Sequence, residues 1–245
     1  MEITSKNNPV IKSVGSLAQK KSRKETGLYI AEGIKPVREC LKAGCNIDRI
    51  VCTAEHKGEF ENATVVSESV FKNLSSEKNP QGVLAVVKIP QNTLRPPKSS
   101  CILLDCLQDP GNIGTVIRTA NAAGYKEIYL INCVDPYSPK AVRASMSGIF
   151  FVNVFSDTAE NILGALENVP IICADMKGED IFSFTPPEKY CLCIGNEGGG
   201  ISERVLKSAA HTVKIPMSKT CESLNAAVSA GIAMYTLKNN LKRGN

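Results

Sequence analysis

Several features that would place this chain in a membrane, in an oxidising compartment or at a metal centre are missing from its sequence. No apolar run approaches the roughly 20 residues that cross a bilayer, and the N-terminus carries no apolar signal segment. The ten cysteines include no C-x-x-C pair, and the two histidines, His56 and His211, lie near no cysteine pair. We therefore expect a cytoplasmic protein whose cysteines are buried thiols and which holds no metal.

Three common catalytic or nucleotide-binding motifs are also missing. Neither histidine has a context that would complete a Ser-His-Asp set, which disfavours hydrolase chemistry. No Gly-Lys-Ser or Gly-Lys-Thr follows the glycine-rich segment at residues 195–200, so that segment is not a phosphate loop. Residues 105–110 stand where a dinucleotide fingerprint would need its glycines. A nicotinamide-dependent dehydrogenase is therefore disfavoured.

Positive charge is concentrated at one end of the chain. The formal net charge is +5, and residues 1–44 contain nine Lys or Arg against four Glu, a surplus of five that accounts for all of it. Scattered lysines usually form a solvated helix face, whereas a basic cluster can bind a phosphate backbone. The sequence leaves both interpretations open. Its densest basic segment, residues 20–26, is predicted to be an exposed loop.

Hydrophobic periodicity predicts two units joined by a stiff linker. The first unit, residues 1–88, is predicted to be a compact mixed α/β domain that begins with a helix at Asn8 and Pro9. Prolines and polar residues at 89–99 predict the linker. Helices of the first unit are predicted at 34–42 and 68–74, and its strands at 28–31, 47–53, 65–66 and 82–88.

The second unit, residues 100–245, alternates strands and helices, which predicts a parallel sheet with helices on both faces. Small residues in the last helix favour close helix packing, within the chain or across a dimer. Strands are predicted at 101–104, 128–131, 151–155, 171–174, 191–194 and 213–215. Helices are predicted at 113–123, 139–147, 158–167, 201–209 and 223–241.

Two strand ends in the second unit are followed by loops suited to ligand binding. One strand ends at Gly195, and the other ends at Ile215. Loops at the carboxyl ends of parallel strands are where ligands bind in open α/β sheets. Four glycines among residues 195–200 would let a flat or polar ligand approach the backbone closely, although such a segment can also be a flexible turn.

Polar residues near these loops allow more than one interpretation. Arg118, in a small and apolar helix, can lie on the solvent face or, together with Asn112 and Asn121, grip a phosphate or ribose. Ser223 is a plausible N-cap of the last helix, which is the commoner use of a serine in that position.

Three segments together resemble the SpoU-type, TrmH-like ribose methyltransferases of the SPOUT superfamily. They are DPGNIGTVIRTA at residues 109–120, IGNEGGGI at 194–201, and IPM through ESLNAA at 215–227. Each segment is weak alone, but their order and spacing make a specific match. Residues 27–44, which include Glu32, resemble the family's ribosomal-protein-like RNA-binding domain.

The resemblance implies a fold that periodicity does not suggest. It implies an N-terminal ribosomal-protein-like α/β RNA-binding domain and a C-terminal SPOUT α/β knot, a parallel sheet with a deep trefoil knot. It also implies a homodimer formed through helices of the knot region. S-adenosylmethionine would bind at the knot, where the backbone at Gly195, Ile215 and Leu224 would hold its adenosyl part. The further cofactor-binding candidates are Met217, Asn196 and Gly200.

The implied reaction is methyl transfer to a ribose 2′-hydroxyl of RNA. The residues that match polar active-site positions of the family are Asn112, Arg118, Glu197, Ser223 and Asn225. We favour Arg118 as a phosphate grip that orients the hydroxyl, because a guanidinium pKa above about 12 makes a deprotonated arginine demanding. Glu197 is expected either to orient Arg118, which we favour, or to be structural. The RNA-binding candidates are Lys20, Lys21, Arg23, Lys24 and Glu32.

Ribosomal RNA is favoured as the substrate, because a separate N-terminal RNA-binding unit is typical of the members that modify ribosomal RNA. The alternatives are a transfer RNA 2′-O-methyltransferase and a non-catalytic RNA-binding protein on the same fold. The chain departs from many relatives at residues 145–148, Ser-Met-Ser-Gly, where they have a smaller Ser-Ala-Gly-Ala-like run. We expect this departure to alter packing more than chemistry.

Overall fold

Two β-sheets, one mixed and one parallel, organise the chain. The computed structural model describes residues 2–244, so Met1 and Asn245, which begin and end the predicted domain ranges, lie outside the described residues. The first sheet has four strands and the second has six. No helix within residues 2–244 is long and apolar enough to cross a membrane.

The four-stranded sheet is formed by β1 (Leu28–Glu32), β2 (Ile47–Cys52), β3 (Thr64–Val65) and β4 (Val83–Lys88). Its order is β1-β4-β2-β3; β4 is antiparallel to β1 and β2, and β3 is parallel to β2. The helices of this half are α1 (Pro9–Ser16), α2 (Lys20–Thr26), α3 (Ile34–Lys42) and α4 (Glu68–Leu74). Asn8 caps α1, because its Oδ1 accepts a hydrogen bond from the Val10 N–H at 2.9 Å.

The six-stranded sheet is parallel throughout, as the sequence predicts, in the order β10-β8-β9-β5-β6-β7. Its strands are β5 (Cys101–Asp105), β6 (Glu127–Ile131), β7 (Asn153–Asp157), β8 (Ile171–Asp180), β9 (Cys191–Ile194) and β10 (Ala209–Lys214). Its helices are α5 (Pro110–Ala123), α6 (Pro139–Ala144), α7 (Ala159–Ala165), α8 (Glu203–Leu206) and α9 (Ala226–Gly244). Ile102 and Leu104 belong to one hydrophobic cluster and Cys101 and Leu103 to another, so both faces of β5 are covered.

The structure corrects the prediction of an exposed basic loop at residues 20–26. This segment is α2, and Arg23 is only 4% exposed. The Arg23 guanidinium donates to the carbonyl oxygens of Leu17 and Ala18 and pairs with Asp135, at 2.7 Å between Nη2 and Oδ2. Because the buried residue of α2 is an arginine, the helix has no apolar periodicity that could reveal it. Arg23 therefore ties the first half of the chain to the second.

Element boundaries differ from the predictions mainly near the site. Strand β10 begins at Ala209, within the range where a helix was predicted, and α8 has only four residues. Strand β8 continues to Asp180 because its later residues pair with β10. Helix α9 begins at Ala226 rather than at residue 223. These boundaries depend on strand pairing between distant segments, which local periodicity does not report.

The segment between the two sheets is anchored rather than free. Arg95 contacts Glu127 at 2.6 Å between Nη1 and Oε1. The backbone N–H of Lys98 donates to Oε2 of the same carboxylate at 2.7 Å. The Tyr129 hydroxyl donates to the Arg95 carbonyl at 2.8 Å. These contacts fix the end of the segment against β6. The proposed domain limits at residues 88 and 100 stay predictions.

Six of the ten cysteines are buried, and all ten are free thiols. Burial raises the pKa of Cys191 and Cys193 well above the ordinary thiol value. These two residues lie on β9 in the middle of the parallel sheet. They therefore behave as small hydrophobic side chains there, as the sequence predicts.

Gly114 sets the distance between α5 and α6. A Cβ atom at Gly114 would lie 2.3 Å from the Ala141 carbonyl oxygen. We expect Gly114→Ala to lower the free energy of unfolding by about 1–3 kcal/mol, because the helices would have to separate. Chemical denaturation measures this change. The control is Gly164→Ala in α7, where a Cβ meets nothing within 4 Å. Equal stability of the two variants would contradict the expected close contact.

Candidate active site

A cleft of about 260 Å³ opens at the carboxyl ends of β9 and β10. Its walls are formed by residues 174–176 of β8, the glycine turn after β9, the segment after β10 and the residues before α9. All six predicted cofactor-binding residues line this one cleft: Gly195, Asn196, Gly200, Ile215, Met217 and Leu224. Two of the predicted catalytic residues, Glu197 and Ser223, line it as well. The strand ends thus meet as expected for an open parallel sheet.

The glycine turn is held in one conformation by Asn196. The Asn196 Oδ1 accepts hydrogen bonds from the N–H groups of Gly198 and Gly199, both at 2.9 Å. Its Nδ2 donates to the Cys106 carbonyl at 2.8 Å. The backbone N–H groups of Asn196 and Gly200 each donate to the other residue's carbonyl. The turn is therefore a hydrogen-bonded loop rather than the flexible connection that the sequence allowed.

The cleft offers bare backbone to a ligand. A Cβ at Gly195 would lie 2.4 Å from the Gly200 carbonyl carbon, so only glycine fits where the two ends of the turn meet. The N–H groups of Ile215, Met217 and Leu224 donate no hydrogen bond to any atom of residues 2–244. Backbone donors left open beside a cleft are available to hydrogen-bond a bound molecule.

Three predicted catalytic residues from distant parts of the chain form one hydrogen-bonded series. The Asn112 Nδ2 donates to Oε1 of Glu197 at 2.7 Å. The Asn225 Nδ2 donates to Oδ1 of Asn112 at 3.0 Å. The series connects the start of α5, the glycine turn and the start of α9. In the structure Glu197 therefore contacts Asn112, and not Arg118 as the sequence interpretation expected.

Asp109 and Lys140 support this series, and the sequence interpretation did not include them. The Asp109 Oδ1 accepts a hydrogen bond from the Asn112 N–H at 3.0 Å and caps α5. The Lys140 ammonium lies 2.8 Å from the other carboxylate oxygen. Lys140 and the Asn112 N–H hold the pKa of the Asp109 carboxyl below its ordinary value. An aspartate directly before a proline that begins a helix is the sequence signal for such a cap.

Arg118 lies apart from the hydrogen-bonded series. It is exposed on α5, six residues after Asn112, or about 9 Å along the helix axis. Its guanidinium makes no hydrogen bond or ion pair with any of residues 2–244. A Cβ at Gly148 would lie 3.0 Å from the Arg118 Cα, so the 3-10 turn Gly148–Phe151 packs against the helix at this point. The guanidinium is thus free to bind a group from outside the chain.

The residue that caps α9 differs from the predicted one. Asn225, and not Ser223, caps the helix, because its Oδ1 accepts from the N–H groups of Ala227 at 2.9 Å and Val228 at 3.3 Å. The N-cap prediction for Ser223 is therefore wrong. Ser223 is exposed and lines the cleft.

The predicted RNA-binding residues divide into two groups. Lys20, Lys21 and Lys24 are exposed on α2. Arg23 is buried against Asp135, so its guanidinium is not available to a phosphate backbone, and its assignment as an RNA contact is corrected. Glu32, at the end of β1, accepts hydrogen bonds from the Ser75 hydroxyl and from the Ser76 N–H.

Residues 99–235 match the model of the SpoU rRNA Methylase family, and residues 8–85 match the MRM3-like substrate binding domain. The chain belongs to the SpoU rRNA methylase family. The predicted family is thus confirmed.

The relatives agree with this assignment over nearly the whole chain. A Synechocystis protein, named as an uncharacterized tRNA/rRNA methyltransferase, is 30% identical and covers 95% of this chain and 92% of its own. A 23S rRNA (guanosine(2553)-2′-O)-methyltransferase of Bacillus subtilis is 29% identical, and the match covers 97% of this chain and 99% of that protein. An AdoMet-bound rRNA methyltransferase structure from Sinorhizobium meliloti is 30% identical, covers 98% of both chains and has a TM-score of 0.89. The chain is an S-adenosylmethionine-dependent RNA 2′-O-methyltransferase.

Asn225 has two functions that substitutions can separate. Asn225→Ala removes both the cap of α9 and the donor to Asn112. We expect it to lower stability by about 1 kcal/mol and the methyl-transfer rate by about tenfold, because Asn112 loses its orientation. Asn225→Asp keeps the capping oxygen and loses only the donor, so it should lose rate without losing stability. Denaturation and single-turnover methylation measure the two effects, and a normal rate in both variants would contradict the positioning role.

Proposed function

We propose that this enzyme methylates a ribose 2′-hydroxyl at one site in ribosomal RNA. The observation that carries the proposal is the hydrogen-bonded series of Glu197, Asn112 and Asn225 at the edge of the cofactor cleft. Two of the similar proteins are named for ribosomal RNA, and the N-terminal half matches a substrate-binding domain. These findings favour ribosomal RNA over transfer RNA.

The cleft suits S-adenosylmethionine. When bound, this cofactor supplies a methyl group on a positively charged sulfur. The space left by the missing side chain of Gly195 and the open N–H groups of Ile215, Met217 and Leu224 would hold its adenosyl part. Such backbone N–H groups can donate hydrogen bonds to acceptor atoms at the edge of a flat ring, so no charged side chain is needed.

Arg118 is proposed to bind the RNA phosphate next to the reacting ribose. Its guanidinium has no partner within residues 2–244 and can donate two parallel hydrogen bonds to a phosphate. This grip would hold the 2′-hydroxyl in line with the methyl group, which is where a large part of the rate enhancement arises. Glu197 would orient Asn112, and Ser223 would order the cleft wall.

The exposed lysines of α2 are proposed to bind the RNA backbone without reading its sequence. Lys20, Lys21 and Lys24 project from one short helix. Contacts of this kind release counterions, so RNA affinity should fall steeply as salt concentration rises. Glu32 would act through the loop that it holds rather than through direct contact with phosphate.

The homodimer is proposed to form through α9. Val228 and Tyr235 are 51% and 54% exposed, and they lie seven residues apart on one side of this helix. Gly231, between them, lies beside Thr119 of α5. An apolar stripe next to the site suits burial against a second copy. We also propose that the C-terminal half forms a trefoil knot and that the protein is cytoplasmic.

Labelled methyl transfer to total RNA from cells that lack this protein, followed by nuclease mapping, tests the proposal. One labelled 2′-O-methylated nucleotide in ribosomal RNA would support it and would identify the site. Labelling of transfer RNA would support the alternative substrate. Cofactor affinity should be measured on the same preparation, because a chain that binds RNA but no S-adenosylmethionine would be a non-catalytic RNA-binding protein.

A further inference from the structure

A second cavity, of about 440 Å³, lies between the two halves of the chain. One wall comes from α1, the end of β1 and the loop after α4. The other wall comes from α6 and from the turn that follows it, through Val142, Arg143, Met146, Ser147 and Phe150. Its volume is within the range of pockets that bind small molecules. Neither half of the chain forms it alone.

The turn that closes this cavity has an unusual backbone. Met146 and Ser147 both have positive φ, at 45° and 70°, and neither is glycine. Such conformations cost free energy and occur often at binding sites. The next residue, Gly148, packs against Arg118, so the turn connects the cavity to the proposed phosphate grip.

Ser147 presents an unused hydroxyl to the cavity. The residue is only 7% exposed, its Oγ keeps some accessible surface, and within residues 2–244 the hydroxyl has no hydrogen-bond partner. An accessible hydroxyl without a partner in the protein can bond to water or to a bound molecule. It lies in the cavity lining, so a molecule in the cavity is placed to satisfy it.

The chemistry of the lining fits a neutral flat ring rather than a phosphate. The charged lining residues balance in sign, with Glu32 and Glu77 against Lys35 and Arg143. Glu77 pairs with Arg143, and Glu32 is hydrogen-bonded by serines. Apolar side chains, including Met146 and Phe150, form much of the surface. The amide of Asn79 adds a donor and an acceptor. Unstacked RNA bases are bound by apolar or aromatic faces together with such polar groups at their edges.

We propose that this cavity receives one unstacked base of the RNA substrate, from a nucleotide next to the phosphate that Arg118 binds. This proposal rests on the proposed function. A 2′-hydroxyl enters a narrow cleft more readily where the local strand is unstacked, and unstacked bases are the ones that proteins bind with sequence specificity. The cavity holds the displaced base, and the Ser147 hydroxyl bonds to the base edge. The residues of the Met146–Ser147 turn therefore determine which base is accepted.

The absence of tryptophan from the chain makes a direct test possible. Phe150→Trp places a single indole in the cavity, and a stacked base quenches its fluorescence. Phe182→Trp, on an exposed residue that is not part of the cavity, is the matched control. The probe is the RNA fragment that contains the methylated site, added without cofactor. We expect the RNA to quench the indole emission of the Phe150→Trp protein and to leave that of the Phe182→Trp protein unchanged.

A second substitution blocks the cavity without adding fluorescence. Ala18 is exposed at the cavity mouth, and Ala18→Phe in the Phe150→Trp protein should abolish the quenching. In the otherwise unchanged enzyme it should lower kcat/KM for RNA by about tenfold, since one base stack is lost. Ala54→Phe, on an exposed alanine outside the cavity, is the control. Unchanged S-adenosylmethionine affinity in every variant shows that the fold is intact, and Leu74→Trp replaces the reporter if Phe150→Trp loses that affinity.

The outcomes separate this proposal from the proposed function. Quenching by RNA that Ala18→Phe removes supports the cavity as a base site. No quenching by an RNA fragment that the enzyme methylates overturns it and leaves the methyltransferase function unaffected. Retained quenching with full kcat/KM in the Ala18→Phe protein also overturns it. Failure of the unaltered enzyme to methylate any ribosomal RNA would instead overturn the proposed function.

Discussion

Arg118→Lys is expected to lower the rate of methyl transfer to RNA by about 100-fold. Lysine keeps the positive charge but cannot donate two parallel hydrogen bonds to a phosphate, so the ribose hydroxyl loses its alignment with the methyl group. Arg118 does not line the cofactor cleft, and S-adenosylmethionine affinity should therefore stay unchanged. Single-turnover methylation and calorimetric titration with the cofactor measure these two quantities.

Arg204→Lys is the control for charge-conserving substitution. Arg204 is exposed on α8, and its guanidinium lies 3.8 Å from the Glu160 carboxylate, between Nη2 and Oε2. This variant should methylate RNA at the normal rate. If Arg118→Lys also keeps the normal rate and normal RNA affinity, Arg118 does not act as a bidentate grip. A normal affinity for RNA with a reduced rate would show that the guanidinium aligns the hydroxyl more than it anchors the strand.

Gly195→Ala is expected to weaken S-adenosylmethionine binding by about 10- to 100-fold, because overpacking strain of about 1–3 kcal/mol falls on the cleft wall. The added Cβ would lie 2.4–2.5 Å from backbone atoms of Gly200 and Ile201, and backbone cannot rotate away as a side chain can. Either the turn opens or the strand end shifts, and both movements displace groups that line the cleft. Calorimetric titration measures the change in affinity.

Gly198→Ala in the same turn is the matched control. A Cβ at Gly198 would meet only the Asn196 Oδ1, at 3.7 Å, which is an ordinary contact. Neither Gly195 nor Gly198 has positive φ, so the comparison isolates steric fit from backbone conformation. Cofactor affinity should change by less than about twofold in Gly198→Ala. Similar losses in both variants would mean that the turn tolerates no side chain at all, and the close approach at Gly195 would not be the cause.

The cofactor cleft could be predicted well because its residues follow two recognisable strand ends. Gly195 and Ile215 are the first residues after β9 and β10, and parallel strands bring such positions to one edge. The helix caps were less predictable. Ser223 and Asn225 are both good capping residues, and only the position of α9 shows that Asn225 makes the bonds.

The contacts between the two halves could not be predicted from the sequence. The bond between Arg23 and Asp135 joins residues 112 positions apart, and the burial of an arginine contradicts the usual exposure of basic segments. The role of Glu197 was likewise predicted from one motif alone. Its partner Asn112 is 85 residues away, and the hydrogen bond depends on how α5 meets the glycine turn.

The sequence by itself determined the family, the reaction class, the cofactor and the parallel sheet. Motif order and hydrophobic periodicity can be recognised in the linear sequence without knowledge of long-range contacts. The tertiary structure alone decided which polar groups bond to one another, that Arg23 is buried, and that the Met146–Ser147 turn closes a cavity between the halves. Those features depend on the packing of distant segments, where distances of a few tenths of an ångström decide whether a contact forms.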